Sequence, residues 1–92
     1  MKRFEEKLDD YYAKRYLEYL ERSVFVLWNL DFKIDFRGII VKIFIKNKKY
    51  TEQHYEPLLT FKKSKALYLI CNFKETSEEV EEIIKEYSKE NK

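Results

Sequence analysis

The chain has 92 residues and a net charge of +2, with 45% hydrophobic and 39% charged residues. This length predicts a single domain covering residues 1–92. Apolar runs such as residues 24–28 are far too short to span a bilayer, and the N-terminal basic residues are not followed by the apolar stretch of a signal peptide. The single cysteine, Cys71, excludes an internal disulfide and indicates a reducing compartment. We therefore expect a cytoplasmic protein without a membrane partner.

Lys and Glu dominate the charged residues, and the 17% aromatic content includes eight Tyr and seven Phe. This balance is typical of hyperthermophilic proteins, although an AT-rich genome gives similar Lys, Ile and Tyr usage. Small chains of this composition without motifs resemble inhibitors or regulators encoded by archaeal viruses or plasmids.

Residues 2–22 are predicted to form the first helix, because apolar residues such as Leu8, Tyr12, Tyr16 and Tyr19 recur at three- and four-residue spacing. The apolar arc covers more than half of the helix circumference, which is more than one sheet face needs. Residues 24–29 continue both this helical stripe and the strand alternation that follows, so helix and strand both remain open for them. Their β-branched and aromatic content favours a strand, with a break expected near Asn29.

Residues 30–46 predict a β-hairpin, since apolar and charged residues alternate on both sides of Arg37-Gly38. A two-residue turn at that dipeptide places Phe32 opposite Ile43. The inward row is predicted to consist of Leu30, Phe32, Ile34, Phe36, Ile39, Val41, Ile43 and Ile45.

Residues 58–62 and 66–73 predict a second hairpin that turns at residues 63–65. Both strands carry apolar residues on two faces, which is typical of strands covered on both sides, and Cys71 is predicted to be a core residue. A final helix is predicted with Thr76 and Glu79 as a capping box and Val80, Ile83, Ile84 and Tyr87 as its apolar stripe. The expected fold class is α+β, with a four-stranded antiparallel sheet of two hairpins flanked by N- and C-terminal helices, in the order α-β-β-β-β-α.

Positive charge is concentrated in the middle of the chain, where residues 31–75 contain ten basic and five acidic residues. One interpretation is a phosphate-contacting surface, with Tyr50 or Phe44 available for base stacking. The alternative is that these lysines protect exposed turns and strand edges from aggregation. The candidate nucleic-acid-binding residues are Lys46, Lys48, Lys49, Tyr50, Lys62, Lys63 and Lys65.

Asp31 and Asp35 share the outward face of the first hairpin with Lys33 and Lys42. Two carboxylates and a lysine are what a metal-dependent nuclease requires. Cross-strand charge pairing explains the pattern better, with Lys33 facing Lys42 and the two aspartates diagonal to both lysines. His54 lacks enough neighbouring ligands for a metal site, and no nucleophile has a visible base. We therefore predict no catalytic residue, no metal, no cofactor and no enzymatic activity.

The number of aromatic residues exceeds what one small core needs, and Tyr and Phe are enriched at interface cores. The alternative is an aromatic-packed monomer core with Tyr hydroxyls at its rim. The sequence thus predicts a non-enzymatic protein-binding module, an inhibitor or regulator acting as a homodimer and binding an unidentified protein. The candidate interface residues are Tyr11, Tyr12, Tyr16, Tyr19, Phe44, Tyr68 and Ile70.

Overall fold

The computed structural model describes residues 2–28, 31–46 and 55–90. The first element is a long helix, as predicted. Helix α1 spans Lys2–Leu20 and continues through a π-helical turn, Glu21–Phe25, into the short helix α2, Val26–Trp28. Residues 24–28, for which the sequence left both helix and strand possible, are therefore helical. Residues 29 and 30 lie outside the described residues.

Two consecutive residues of the π-helical turn, Val24 and Phe25, are buried. The wider turn adds a residue and so changes the phase of the helix. The Ser23 hydroxyl donates to the Tyr19 carbonyl oxygen at 2.6 Å, which satisfies a backbone acceptor in this segment.

The described residues contain one antiparallel sheet of three strands in the order β1-β2-β3. The strands are β1 (Phe32–Asp35), β2 (Ile40–Lys46) and β3 (Tyr55–Lys62). The prediction of four strands was wrong. Residues Lys63–Lys65 form a 3₁₀ turn, Ala66–Cys71 form helix α3, and Phe73–Glu90 form helix α4. The order is therefore α-β-β-β-α, with the final helical part in two segments.

The segment predicted as the fourth strand is helical because it packs along α1. Ala66 and Ala13 are both completely buried in the same core, and small side chains allow two helices to approach closely. This contact also accounts for the wide apolar arc of α1, which faces α3 as well as the sheet. On α3, Cys71 is exposed, so its predicted place in the core was wrong.

The first hairpin forms with a register that differs from the prediction by two residues. Phe32 pairs with Ile45 and Ile34 with Ile43. Because the shift is even, each side chain keeps its predicted face: Val41 and Ile43 are completely buried. The exception is Ile39, which lies in the loop and is 80% exposed.

The core lies between the inner face of the sheet and the helices. Its buried residues are Ala13, Tyr16, Leu17, Leu20, Val24, Phe25, Val41, Ile43, Ala66, Val80 and Ile84. Val80 and Ile84 confirm the predicted packing face of the last helix, while Ile83 lies at its edge. Among the described residues, no helix is long and apolar enough to cross a membrane.

The predicted capping box was wrong. Helix α4 begins at Phe73, three residues before the predicted cap, so Thr76 lies inside the helix. The Thr76 side chain is buried, and its hydroxyl donates to the Leu69 carbonyl oxygen at 3.1 Å. Thr76 therefore satisfies a carbonyl of α3 near the junction of the two helices instead of an amide at a helix start.

Candidate functional site

The loop between β1 and β2 carries the most exposed large apolar side chain in the described part of the chain. We call residues 35–40 the hairpin tip. Ile39 is 80% exposed and Ile40, at the start of β2, is 38% exposed. Two neighbouring isoleucines in water at the end of a sheet cost solvation free energy, and exposed apolar groups of this kind mark interaction surfaces when they are grouped.

Asp35 sets the geometry of the loop. Its carboxylate accepts a hydrogen bond from the Arg37 backbone N–H at 3.2 Å and another from Arg37 Nε at 3.2 Å. An aspartate that binds the backbone two residues ahead favours a turn at that position. This local bond widens the connection to residues 36–39, so Ile39 no longer lies opposite Phe36.

Lys63 holds the same loop at both of its ends. Its backbone N–H donates to the Ile39 carbonyl oxygen at 3.0 Å, and its Nζ donates to the Phe36 carbonyl oxygen at 2.7 Å. Nζ also lies 3.0 Å from an Asp10 carboxylate oxygen and 4.0 Å from the centroid of the Phe36 ring. The Lys63 side chain is only 12% exposed. Lys63 therefore connects the end of β3, the hairpin tip and helix α1. These contacts fix the position of Ile39.

Two clefts flank Ile39. One has a volume of about 500 Å³ and is lined in part by Asp10, Arg37 and Lys62. The other has a volume of about 510 Å³ and is lined in part by Arg37, Ile40 and Lys42. Ile39 and Arg37 line both clefts, so the hairpin tip stands as a ridge between two concave surfaces.

The rim of the hairpin tip carries charges of both signs. The Arg37 side chain is 92% exposed, and Lys42 and Lys62 are exposed on the two strands beside it. Of the nearby carboxylates, Asp10 pairs with Lys63, Asp35 pairs with Arg37, and Asp9 lines the same cleft as Arg37 and Lys62. Hydrogen bonds from Arg37 lower the pKa of Asp35, so this ion pair persists to a lower pH than a free aspartate would allow. The site is thus an apolar side chain with exposed lysines on both neighbouring strands.

A second surface is the outer face of the sheet, opposite the core. Cross-strand pairing places Lys42, Phe44 and Lys46 of β2 on this face, next to Lys33 of β1. Lys33 Nζ lies 4.3 Å from the centroid of the Tyr55 ring, in a cation–π contact. Phe44 is half-buried. This face combines aromatic rings with lysines, which is the composition of a surface for single-stranded nucleic acid.

The structure does not bring the predicted nucleic-acid-binding residues into one cluster. Lys46 lies at one end of β2, whereas Lys62 pairs with Ile40 at the other end. Lys63 is engaged inside the protein, and Lys65 is exposed in the turn before α3. The remaining candidates, Lys48, Lys49 and Tyr50, lie outside the described residues.

The predicted interface residues are dispersed. Tyr16 is 2% exposed and packs edge-to-face on Phe61, with ring centroids 5.2 Å apart. Burial raises the pKa of Tyr16, and a hydrogen bond with Thr76 opposes that shift. Tyr11 and Tyr68 are exposed, and the half-buried members of the set are Tyr12, Tyr19, Phe44 and Ile70. The aromatic residues thus supply much of the monomer core, and self-association stays a prediction.

The residues of the nuclease hypothesis do not assemble a metal site. Asp35 is hydrogen-bonded to Arg37, and Asp31 is exposed one residue before β1. Lys42 pairs with Asp35 and Lys33 with Phe44, so the predicted Lys33–Lys42 pair was wrong. In the ranges that the structure describes, no three His, Cys, Asp or Glu residues come together as ligands; His54 is outside those ranges.

Sequence reasoning missed Ile39 as a site residue, and it named Lys63 only as a candidate phosphate contact and not as the residue that holds the loop. Asp35 two positions before Arg37 is the one local signal for the wider turn. The contacts of Lys63 join residues that are far apart in the chain, and no local pattern records them. No family model, curated protein or solved structure matches this chain. Function is therefore inferred from the residues and their arrangement.

Proposed function

We propose that this chain is a non-enzymatic protein-binding module whose binding element is the hairpin tip. The observation that carries the proposal is the 80% exposure of Ile39 on a loop that Lys63 holds by two hydrogen bonds. An exposed apolar side chain on a loose loop loses conformational entropy on binding. An exposed apolar side chain on a fixed loop loses much less conformational entropy, so more of the contact energy appears as affinity.

The chemistry of the tip also specifies its partner. Binding energy concentrates in apolar anchors that fill a pocket and are ringed by polar contacts. Ile39 and Ile40 are the anchors here, and Arg37, Lys42 and Lys62 are the surrounding cations. The complementary surface is an apolar recess with an acidic rim, because opposite charges steer the encounter and fix its orientation.

The test is affinity capture from a cell extract with three immobilised proteins: the unmodified chain, Ile39→Asp and Leu27→Asp. Leu27 is 77% exposed and lies on α2, outside the hairpin tip, which makes it a matched control. We expect proteins that bind the unmodified chain and Leu27→Asp to be lost from Ile39→Asp. Capture that is the same for all three proteins overturns the proposal.

A second candidate function is binding of single-stranded nucleic acid on the outer face of the sheet. The observation that favours it is the row Lys42, Phe44 and Lys46, with Lys33 beside it. Because these groups are lysines, binding should be independent of base sequence. Four phosphate contacts to a single strand would give a log–log salt slope of about −3.

The measurement is fluorescence anisotropy of a labelled single-stranded oligonucleotide at several salt concentrations. We expect a dissociation constant no tighter than about 10⁻⁵ M at physiological salt, in the non-specific range. Nanomolar binding that is lost in Phe44→Ala would make the outer face the primary site. Leu27→Asp serves as the control, because Leu27 lies on α2, outside the row that would stack bases.

A further inference from the structure

The sheet formed by the described residues has two edge strands, β1 and β3, because β2 lies between them. An edge strand presents unpaired backbone N–H and C=O groups, and proteins prevent further pairing there with proline, a β-bulge or a covering element. Strand β3 has all three features. Pro57 lacks an N–H group, Leu58 is an extra residue in the register with β2, and Ile83 of α4 lines one cleft with both residues. Addition of a further strand is therefore disfavoured at β3.

Strand β1 has none of these three features in the part of the chain that the structure describes. It contains no proline, its register with β2 is regular, and β2 is the one described element with extensive contacts to it. Charged side chains also protect edges, but those of β1 are directed elsewhere. Lys33 Nζ lies 4.3 Å from the centroid of the Tyr55 ring on β3, across the face of the sheet, and Asp35 is hydrogen-bonded to Arg37. The described residues therefore leave the edge of β1 open.

The hydrogen-bond pattern identifies which backbone groups of β1 are available at this edge. The Lys46 N–H donates to the Asp31 carbonyl oxygen at 2.9 Å, so these two residues form a hydrogen-bonded pair of the ladder. Such pairs alternate along antiparallel strands. Lys33 therefore also bonds to β2, whereas the N–H and C=O groups of Phe32 and Ile34 point away from it. The open edge presents two donors and two acceptors, at a spacing of two residues or about 7 Å.

An extended segment is the ligand whose chemistry matches this edge. Donors and acceptors that repeat about every 7 Å fit the backbone of another strand, whereas the interior backbone groups of a helix are already bonded within it. Phe32 and Ile34 are partly buried and pack against the core, so an added strand extends the apolar inner face if every second residue is apolar. Addition of a strand to an exposed sheet edge is a general mode of peptide recognition.

We propose that the edge of β1 binds an extended segment of a partner protein, which adds to the sheet as a fourth strand through backbone hydrogen bonds to Phe32 and Ile34. This surface goes beyond the hairpin tip. Ile39 and Ile40 lie where the chain enters β2, and β2 is on the other side of β1 from the open edge. Because β1 has only four residues, the segment forms few hydrogen bonds, each of modest net strength, and micromolar binding is expected.

The probe is a displayed library of random peptides of about ten residues, the length of a long strand. Peptides selected on the unmodified chain are synthesised, and their dissociation constants are measured by fluorescence anisotropy. The matched variants are Ile34→Pro and Ile34→Ala. Both lose the isoleucine side chain, but only proline removes the N–H at the edge, and neither removes a bond to β2. We expect the peptides to bind Ile34→Pro at least about tenfold more weakly than Ile34→Ala, a loss of about 1.4 kcal/mol.

Amide hydrogen exchange followed by NMR tests the same contact on the unmodified chain and so does not depend on the folding of either variant. The Phe32 and Ile34 amides should exchange rapidly in the free chain and become protected in the complex with a selected peptide. The Lys33 amide, which bonds to β2, should be protected in both states. Selected peptides should have apolar residues at alternate positions.

The inference is overturned if no peptide is selected, if Ile34→Pro and Ile34→Ala bind the peptides equally, or if the Phe32 and Ile34 amides stay unprotected in the complex. Peptides that Ile39→Asp weakens and Ile34→Pro does not would place peptide binding at the hairpin tip and remove the edge as a site. Equal binding to Ile39→Asp and the unmodified chain shows that the edge acts independently of the tip. Self-association of the unmodified chain that Ile34→Pro abolishes, measured by sedimentation velocity, would identify a second copy as the occupant and overturn the choice of partner.

Discussion

Replacing Lys63 by Met is expected to lower the free energy of unfolding by about 2–4 kcal/mol. Methionine retains the apolar stem of the lysine and its packing, so the loss comes from the ammonium group. A hydrogen bond from a charged donor, here to the Phe36 carbonyl at 2.7 Å, contributes about 1.5–3 kcal/mol. The contact with the Phe36 ring at 4.0 Å contributes about 0.5–2 kcal/mol.

The ion pair with Asp10 contributes least. The Asp10 side chain is 49% exposed, and pairs with an exposed partner are worth no more than about 1 kcal/mol. The three contributions share one ammonium group and are not additive, which is why the expected total is below their sum. Asp10→Asn should therefore cost less than about 1 kcal/mol.

The assay is urea denaturation followed by far-ultraviolet circular dichroism, with Lys62→Met as the control. Lys62 is the preceding residue and is exposed, so its replacement should change stability by no more than about 0.5 kcal/mol. A Lys63→Met variant that loses less than about 1 kcal/mol, or that matches Lys62→Met, would refute the view that this lysine holds the loop.

Two further predictions concern the core. Burial raises the pKa of the Tyr16 hydroxyl, so above about pH 10 the unfolded chain loses this proton more readily than the folded chain does. Ionisation of Tyr16 therefore leaves the free energy of unfolding unchanged below about pH 10 and lowers it at higher pH. Tyr16→Phe should reduce this loss of stability in urea denaturation measured at increasing pH. On α4, Ile84→Ala should cost about 2–5 kcal/mol, while Glu82→Ala should stay within about 0.5 kcal/mol at concentrations where the chain is monomeric. The reverse order in denaturation would show that α4 packs through the other face.

Much of the sheet was predictable from the sequence because side-chain alternation is a local property. Val41, Ile43 and Ile45 face inward as expected, since strand residues two apart share a face. The register was not predictable in the same way. It depends on the turn, and the turn depends on the bond from Arg37 to Asp35 and on Lys63, which is distant in sequence.

The helix α3 illustrates a second limit of local patterns. A short apolar run with residues on both faces fits a buried strand and a buried helix equally well. Tertiary packing determines that this segment is helical, since Ala66 lies in the same core as Ala13 of α1. The unexplained width of the apolar arc of α1 was the one sequence signal that a further helix, and not only a sheet, covers it.

The candidate site was missed for the same reason as the register. A two-residue turn would have placed Ile39 opposite Phe36 in the core; the observed loop places it in solvent. The feature that carries the proposed function is thus the one position where the alternating pattern and the fold disagree. Disagreement of this kind is expected at functional positions, where a local preference is overruled by contacts elsewhere in the fold.

The rigidity of the loop and the binding of the tip can be tested together with Lys63→Met. At a temperature where this variant remains folded, loss of the Nζ bond to the Phe36 carbonyl frees one end of the loop. Binding then has to order the loop again, at about 1–2 kcal/mol for each residue that becomes fixed. Tip-dependent capture of proteins from a cell extract should therefore weaken by about tenfold or more, although residue 63 lies beside the tip and not on it. Lys62→Met separates this effect from simple loss of rim charge, because it removes a cation from the rim and leaves the loop held. Equal capture by Lys63→Met and by the unmodified chain, with lowered stability of the variant, would show that the tip binds without being held in place.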